Sequence, residues 1–275
     1  MALAALKPLH QPQLAPARPM VELRGVRMAF GEFVAVDDVN LTVADGEFLA
    51  IVGPTGCGKS TILNAIAGLL KPAMGTVSID GAPVSGVGGD IGYLFQQDAL
   101  LPWKTAIENV ELGPMFKGVG RTERRADAMA WLAKVGLKGF EDRFPHQLSG
   151  GQRKRVQMAQ ALITGPKVIL MDEPFSALDI HTRHLMQNEL LRLWQEDRRA
   201  VVMITHDLEE AIALGDRVVV LASGPRSRVI DSFPVDLERP RDVAEIKLDA
   251  RFLELYRNIW ASLRGEVEKS YERRA

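Results

Sequence analysis

The residues best able to do chemistry are first concentrated at Gly53, Pro54, Thr55, Gly56, Cys57, Gly58, Lys59, Ser60 and Thr61. Gly53 and Gly58 bracket four residues and Lys59-Ser60 follow, which is the spacing of a P-loop. Such a loop wraps phosphate oxygens with successive backbone N–H groups, and its glycines let the backbone come close and take up positive φ. Lys59 can neutralise the β- and γ-phosphates of a nucleoside triphosphate. Ser60 can offer its hydroxyl to Mg2+, while the following helix presents its positive N-terminus. Cys57 lies beside Lys59 near that helix start, where either a lowered thiol pKa or a passive small side chain fits.

A second set of groups follows apolar runs. Val168-Ile169-Leu170-Met171 delivers Asp172 and Glu173, and two adjacent acids on an extended chain point to opposite sides. They can divide the work, Asp172 holding Mg2+ directly or through water and Glu173 polarising an attacking water. Val201-Val202-Met203-Ile204 ends in Thr205-His206-Asp207, which brings His206 within reach of the γ-phosphate region. Leu148-Ser149-Gly150-Gly151-Gln152 opens a helix in which Ser149 is a good N-cap and the glycines leave N–H groups bare. An ordinary capped start and a phosphate contact both fit it. Phe30 precedes the P-loop by a strand and a turn, so its ring either stacks on adenine or fills the core. His181 and His184 are helical neighbours without a further ligand, and no metal site is assigned to them.

A parallel sheet is needed to bring these groups together. Phe48-Leu49-Ala50-Ile51-Val52 reads as a buried strand before the glycine loop, and Ile62, Leu63, Ile66, Leu69 and Leu70 as a helical pattern after it. Alternation at Val21, Leu23 and Val26, resuming from Val34 to Val43, predicts antiparallel strands joined by a turn at Gly31. Strands are also predicted at 75–81 and 90–96. From Ile107 to about Ile163 the period is helical, with Met129, Leu132, Ala133 and Val135 on one face. Leu185, Met186, Leu190, Leu193 and Trp194 form the apolar side of the helix after Glu173. A last amphipathic helix, from Val243 to about Lys269, carries Phe252, Leu255, Tyr256, Ile259 and Trp260. Ligands bind α/β sheets at the carboxyl ends of the strands, which is where the glycine loop, the two acids and His206 fall. The expected fold class is α/β, a P-loop NTPase (RecA-like) core with an antiparallel β subdomain and an inserted α-helical subdomain.

The 275 residues, 47% of them apolar, suffice for one large α/β domain with lobes. With 34 basic against 35 acidic residues, no global field draws the chain to nucleic acid or an anionic membrane. The clusters at 121–125 and Arg153-Lys154-Arg155 read as solvated helix faces. No apolar run approaches the length of a transmembrane helix, and the single cysteine excludes internal disulfides.

On these motifs the chain resembles the ATP-binding-cassette ATPases, nucleotide-binding subunits of ABC transporters, over about residues 20–235. GPTGCGKST resembles Walker A, Gln96 in LFQQDALLPW the Q-loop, and LSGGQ the family signature. VILMDE resembles Walker B with its following glutamate, SALD at Ser176 to Asp179 the D-loop, and Thr205-His206-Asp207 the switch histidine. FQQDALLPW, DEPFSALDIHTR and DRVVVL are similar to ATPases of nitrate, sulfonate and taurine importers, although Ser176 stands where that group often has glycine. The Arg153-Lys154-Arg155 run also departs from its commonest form.

The resemblance implies ATP and Mg2+ as cofactors and catalytic roles for Glu173, His206, Gln96 and Lys59. It implies Mg2+ contacts from Ser60, Gln96 and Asp172, and contact of Leu148 to Gln152 with the ATP of a second cassette. The partners implied are a homodimer or pseudo-dimer of cassettes coupled through Asp179, membrane permease subunits and, indirectly, an external solute-binding protein, with no nucleic acid. The implied location is peripheral, at the cytoplasmic face of the inner membrane. The chain then divides into a disordered leader at 1–19, an ATPase domain at 20–235 with a helical insertion at about 97–165, and a helical tail at 236–275. A soluble ABC-type ATPase acting on nucleic acid or the ribosome is the alternative, but such proteins usually carry paired cassettes or long coiled-coil inserts. A P-loop small-molecule kinase would have no use for the signature.

Overall fold

A computed structural model describes residues 19–272 of the chain. The expected leader therefore lies, apart from Pro19, outside the described residues. In order, the elements are β1 (Val21–Phe30), β2 (Phe33–Val43), β3 (Phe48–Val52), α1 (Lys59–Ile66), β4 (Met74–Ile79), β5 (Ala82–Pro83) and β6 (Ile91–Leu94). A helical stretch follows: α2 (Ala106–Val110), α3 (Leu112–Phe116), α4 (Arg121–Lys134), a 3-10 turn at Pro145–Gln147 and α5 (Gly150–Leu162). The chain then runs through β7 (Val168–Asp172), α6 (Ile180–Glu196), β8 (Ala200–Ile204), α7 (Leu208–Leu214), β9 (Arg217–Leu221) and β10 (Val229–Pro234). It ends in a 3-10 turn at Ile246–Leu248 and α8 (Ala250–Glu272).

Among the described residues the strands form two sheets. One is antiparallel, in the order β2-β1-β4-β5. The other has the order β10-β9-β3-β8-β7-β6, all parallel except the edge strand β10. β3 and β8 are buried at every position, as strands covered on both faces must be. Their side chains alternate between two cores. Phe48, Ala50, Val52, Val201 and Met203 join the helices α2 and α4 to α8 on one face. Leu49, Ile51, Val202 and Ile204 meet α1 and the antiparallel sheet on the other.

Helix faces differ in detail from the sequence pattern. α4 buries Ala128 and Leu132, with Val135 just beyond, and exposes Met129 and Ala133. Leu132 and Val135 of the expected face are thus buried, while Ala128 takes the place of Met129 and Ala133. α6 buries Met186, Leu190, Leu193 and Trp194 but leaves Leu185 63% exposed. α1 ends at Ile66, so Leu69 and Leu70 lie beyond it. α8 packs on α7, β9 and β10 through Phe252, Ile259 and Leu263. No helix among the described residues is long and apolar enough to cross a membrane.

Candidate active site

Each of the parallel strands β3, β6, β7 and β8 delivers predicted site residues from its carboxyl end, the edge where α/β sheets take ligands. β3 runs into the glycine loop. Gly58 caps α1 with φ 97° and, having no side chain, offers no cap to the first-turn N–H groups, which lack intrahelical partners. A Cβ at Gly58 would lie 2.5 Å from Val36 Cγ2, so β2 leaves room only for glycine. Lys59 is 7% exposed, and its Nζ donates to the loop carbonyls of Gly53 at 2.8 Å and Pro54 at 3.1 Å. The ammonium is thereby held inside the curve of its own loop.

Ser60 Oγ donates to Asp172 Oδ1 at 3.4 Å, across 112 residues of sequence. Burial pushes the Asp172 carboxyl above its ordinary pKa and the Glu173 charge adds to this, while Ser60 and Lys59 pull the other way. A cation at this pair would offset that cost, and a hydroxyl beside one carboxylate suits Mg2+, which keeps waters and substrate oxygens as its remaining ligands. No group of three or more acidic, histidine or cysteine side chains suited to a metal occurs among the described residues, so protein ligands alone do not build a cage.

Glu173 departs from the extended geometry expected of it. Its φ is 43°, and its N–H donates to Ile204 O of β8 at 2.9 Å. Positive φ in a non-glycine residue is strained and persists only when neighbours hold it. The turn aims the carboxylate at two partners: Oε2 accepts from Gln96 Nε2 at 3.2 Å and lies 3.2 Å from His206 Nδ1. Ser176, singled out in the sequence only as a departure, bridges this group. Its hydroxyl donates to Glu173 O at 3.0 Å and lies 3.5 Å from Gln96 Nε2.

Behind His206 lies a support that the sequence pattern did not single out. Thr205 Oγ1 bonds Glu210 Oε2, whose other oxygen accepts from Gln187 Nε2 at 2.8 Å. Asp207 N donates to Thr205 Oγ1 at 3.1 Å, and Asp207 Oδ1 caps α7 by accepting from Glu209 N and Glu210 N. Glu210 is buried in α7, and that burial raises its pKa. An acid in a helical stretch looks solvated until its tertiary neighbours are known.

Ser149 caps α5 through a full capping box, accepting from Gln152 N at 3.2 Å while Gln152 Oε1 accepts from Ser149 N at 2.9 Å. Leu148 is buried in the core, so its side chain supports the motif rather than facing a ligand. A Cβ at Gly151 would come 2.9 Å from Thr182 Cγ2 of α6. Thr182 N in turn donates to Asp179, the N-cap of α6, at 3.0 Å. The Arg153-Lys154-Arg155 run is not the solvated face expected. Arg153 pairs with Asp98 at 2.6 Å, Lys154 is buried against Phe95 O and Gln157, and Arg155 donates to Val135 O at 2.7 Å. A cleft of about 560 Å³ is lined by Gln96, Glu173, Ser176, His206, Gly150 and Arg153, among others. The glycine loop does not line it.

The ring of Phe30 is 51% exposed at the β1–β2 turn, which excludes the core alternative. Its cross-strand partner Phe33, which carries no signal in the sequence, is 56% exposed beside it. Cys57 is 1% exposed, and burial pushes its thiol pKa up against the pull of Lys59, so the lowered pKa is corrected. A neutral-pH alkylating reagent is expected to label Cys57 at least roughly tenfold more slowly in the folded than in the unfolded protein, read by intact mass. Equal rates would refute the burial argument.

The sequence model of the family described as "ABC transporter" matches residues 36–176. An ABC transporter ATP-binding protein of Methanocaldococcus jannaschii is 48% identical over 236 residues, covering 86% of each chain. The taurine import ATP-binding protein TauB of Escherichia coli (strain K12) is 42% identical over 238 residues, covering 85% of this chain and 93% of its own. The dimeric post-hydrolysis structure of the ATP-binding cassette MJ0796, bound to ADP and phosphate, superposes with a TM-score of 0.70 at 38% identity. That match covers 80% of this chain and all of the other.

Proposed function

Because the chain belongs to the ABC transporter family, as one of its ATP-binding ATPase subunits, we propose that it powers solute import of the nitrate, sulfonate or taurine type through a membrane permease. Its 42% identity to taurine import proteins supports the solute class. The observation that carries the hydrolytic reading is the meeting of Gln96, Glu173 and His206 at 3.2 Å, on the same sheet edge as the Lys59 loop.

In this reading the N–H groups of Gly53 to Thr61 wrap the phosphates, and Lys59 turns from the Gly53 and Pro54 carbonyls to the β- and γ-phosphates. Ser60 and Asp172, with Gln96 at the edge, would hold Mg2+, which when bound offsets phosphate charge. Glu173 takes a proton from the attacking water, while His206 orients the Glu173 carboxylate and contacts the γ-phosphate. Phe30 stacks on the adenine. Ser149, Gly150 and Gly151 of a second copy close each site in a head-to-tail dimer. Asp179, tied to Gly151 through Thr182, couples the halves. Closure on ATP and reopening after hydrolysis move the helical lobe, and with it the permease helices docked there. The subunit accordingly works at the cytoplasmic membrane face.

The test is affinity purification from native membranes, followed by reconstitution of the partners and assay of ATP hydrolysis with taurine, alkanesulfonates and nitrate. Recovery of a permease, with a solute-binding protein whose loaded form stimulates hydrolysis, is expected. A partner set without membrane proteins under gentle extraction would overturn the reading in favour of a soluble ATPase.

A further inference from the structure

The C-terminal helix plays no part in that reading, yet it is tied to the glycine loop. Glu266 of α8 is buried, and its Oε2 accepts from Ser223 N at 2.7 Å and from Ser223 Oγ at 3.0 Å. Its other oxygen pairs with Lys269 at 2.5 Å. Ser223 is the second residue of the connection between β9 and β10, and the next residue, Gly224, lies on the glycine loop. A Cβ there would sit 3.1 Å from Gly56 O and 3.5 Å from Cys57 Cα.

Past Gly224 the connection is stitched to β2. Arg226 N donates to Val34 O at 2.9 Å, Ser227 N to Ala35 O at 3.1 Å, and Asp37 N to Ser227 O at 2.9 Å. β2 also supplies Val36, which lies against Gly58. The loop is thus backed by β2 at Gly58 and by the β9–β10 connection at Gly56. The second support is itself held by β2 past Gly224 and, before Gly224, by one carboxylate on α8. A cavity of about 230 Å³ between helix and loop is lined by Gly53, Pro54, Thr55, His206, Trp260 and Leu263, among others.

We propose that Glu266 is a positioning residue for nucleotide binding: through Ser223 it holds the β9–β10 connection against Gly56 and Cys57 and so sets the shape of the phosphate cradle. This rests on reading residues 53–61 as that cradle. Two hydrogen bonds to a carboxylate are the strong kind, and their loss frees the Ser223 end of the connection, the end not stitched to β2, to move away from the loop.

The test uses the purified full chain, with ATPase kinetics, equilibrium binding of a fluorescent ATP analogue and melting temperature. Glu266→Ala is expected to raise KM and the analogue's Kd about tenfold, with kcat at saturating ATP within about twofold of wild type. Glu266→Gln, which keeps an acceptor oxygen, restores most of the affinity. Gly224→Ala leaves α8 intact but presses a methyl group on the Gly56 carbonyl, and it raises KM in the same direction.

A purely structural role would lower the melting temperature without moving KM, and unchanged KM and Kd in both variants overturn the proposal. Should Glu266→Ala fail to fold, Gly224→Ala decides alone, and an unchanged Kd there overturns it. Lys59→Ala separates the two readings. If it binds the analogue as wild type does, the cradle assignment itself falls. If it loses binding while Glu266→Ala and Gly224→Ala do not, only the positioning role falls.

Discussion

Glu173→Gln is expected to bind ATP with wild-type affinity and to hydrolyse it roughly 10²- to 10⁴-fold more slowly, the usual worth of a positioned general base. That range corresponds to about 3–5 kcal/mol of barrier. The substitution keeps the shape of the side chain and an oxygen able to accept from Gln96 Nε2. What it loses is the ability to take a proton. The strained φ of 43° and the bond from Glu173 N to Ile204 O do not depend on the carboxylate, so the turn should survive. Phosphate release and analogue binding check the two parts, and size-exclusion chromatography in ATP is expected to show a persistent dimer. Turnover within threefold of wild type would remove Glu173 from its role.

Arg241→Ala carries the largest expected loss of stability. The Arg241 guanidinium is buried and donates to the carbonyls of Ile212, Ala213, Gly215, Val235 and Leu237 at 2.6 to 3.3 Å. The first three lie at the C-terminal end of α7, where carbonyls lack helical partners and the dipole favours a cation. Burial, with the nearby Arg239 charge adding to it, pushes the Arg241 pKa down to about 10, so the group remains charged at neutral pH. Alanine leaves these carbonyls dry and unpaired, at a cost of about 3 kcal/mol or more. For a domain of this size that lowers the melting temperature by roughly 10 °C. Calorimetry or urea unfolding reads it directly, and a fall under about 2 °C would refute the argument.

Much of the candidate site could be read from the sequence because it lies where apolar strands end. A buried parallel strand is a continuous apolar run, and the polar residue that stops it is automatically at the ligand edge. Asp172, His206 and Gly53 are found that way. What escaped reading depends on contacts between distant segments. Glu173 takes its direction from Ile204, Glu210 is buried by Gln187 and Thr205, and Glu266 meets Ser223 across 43 residues. Ser176 looked like an idiosyncrasy until Gln96 and Glu173 were seen around it. Lys154 shows the limit most clearly. Its place in a basic run predicts solvent, yet a pocket of oxygens from Phe95 and Gln157 takes the ammonium in. The Met129 and Leu185 discrepancies have a simpler cause, since each sits at the edge of an apolar stripe whose centre alone is covered by packing.

The Asp98–Arg153 ion pair joins two segments that, in the opposed dimer proposed above, attend different nucleotides. Asp98 is two residues past Gln96, which attends the ATP of its own chain. Arg153 is one turn into the helix opened by Ser149, which attends the ATP across the interface. In that dimer the pair would link the two sites. Release of phosphate at one site, by relaxing its Gln96 segment, would then pull on the clamp of the other. Two sites wired in this way would share a clock, and the proposed dimer would advance in whole strokes rather than in the separate ticks of its halves.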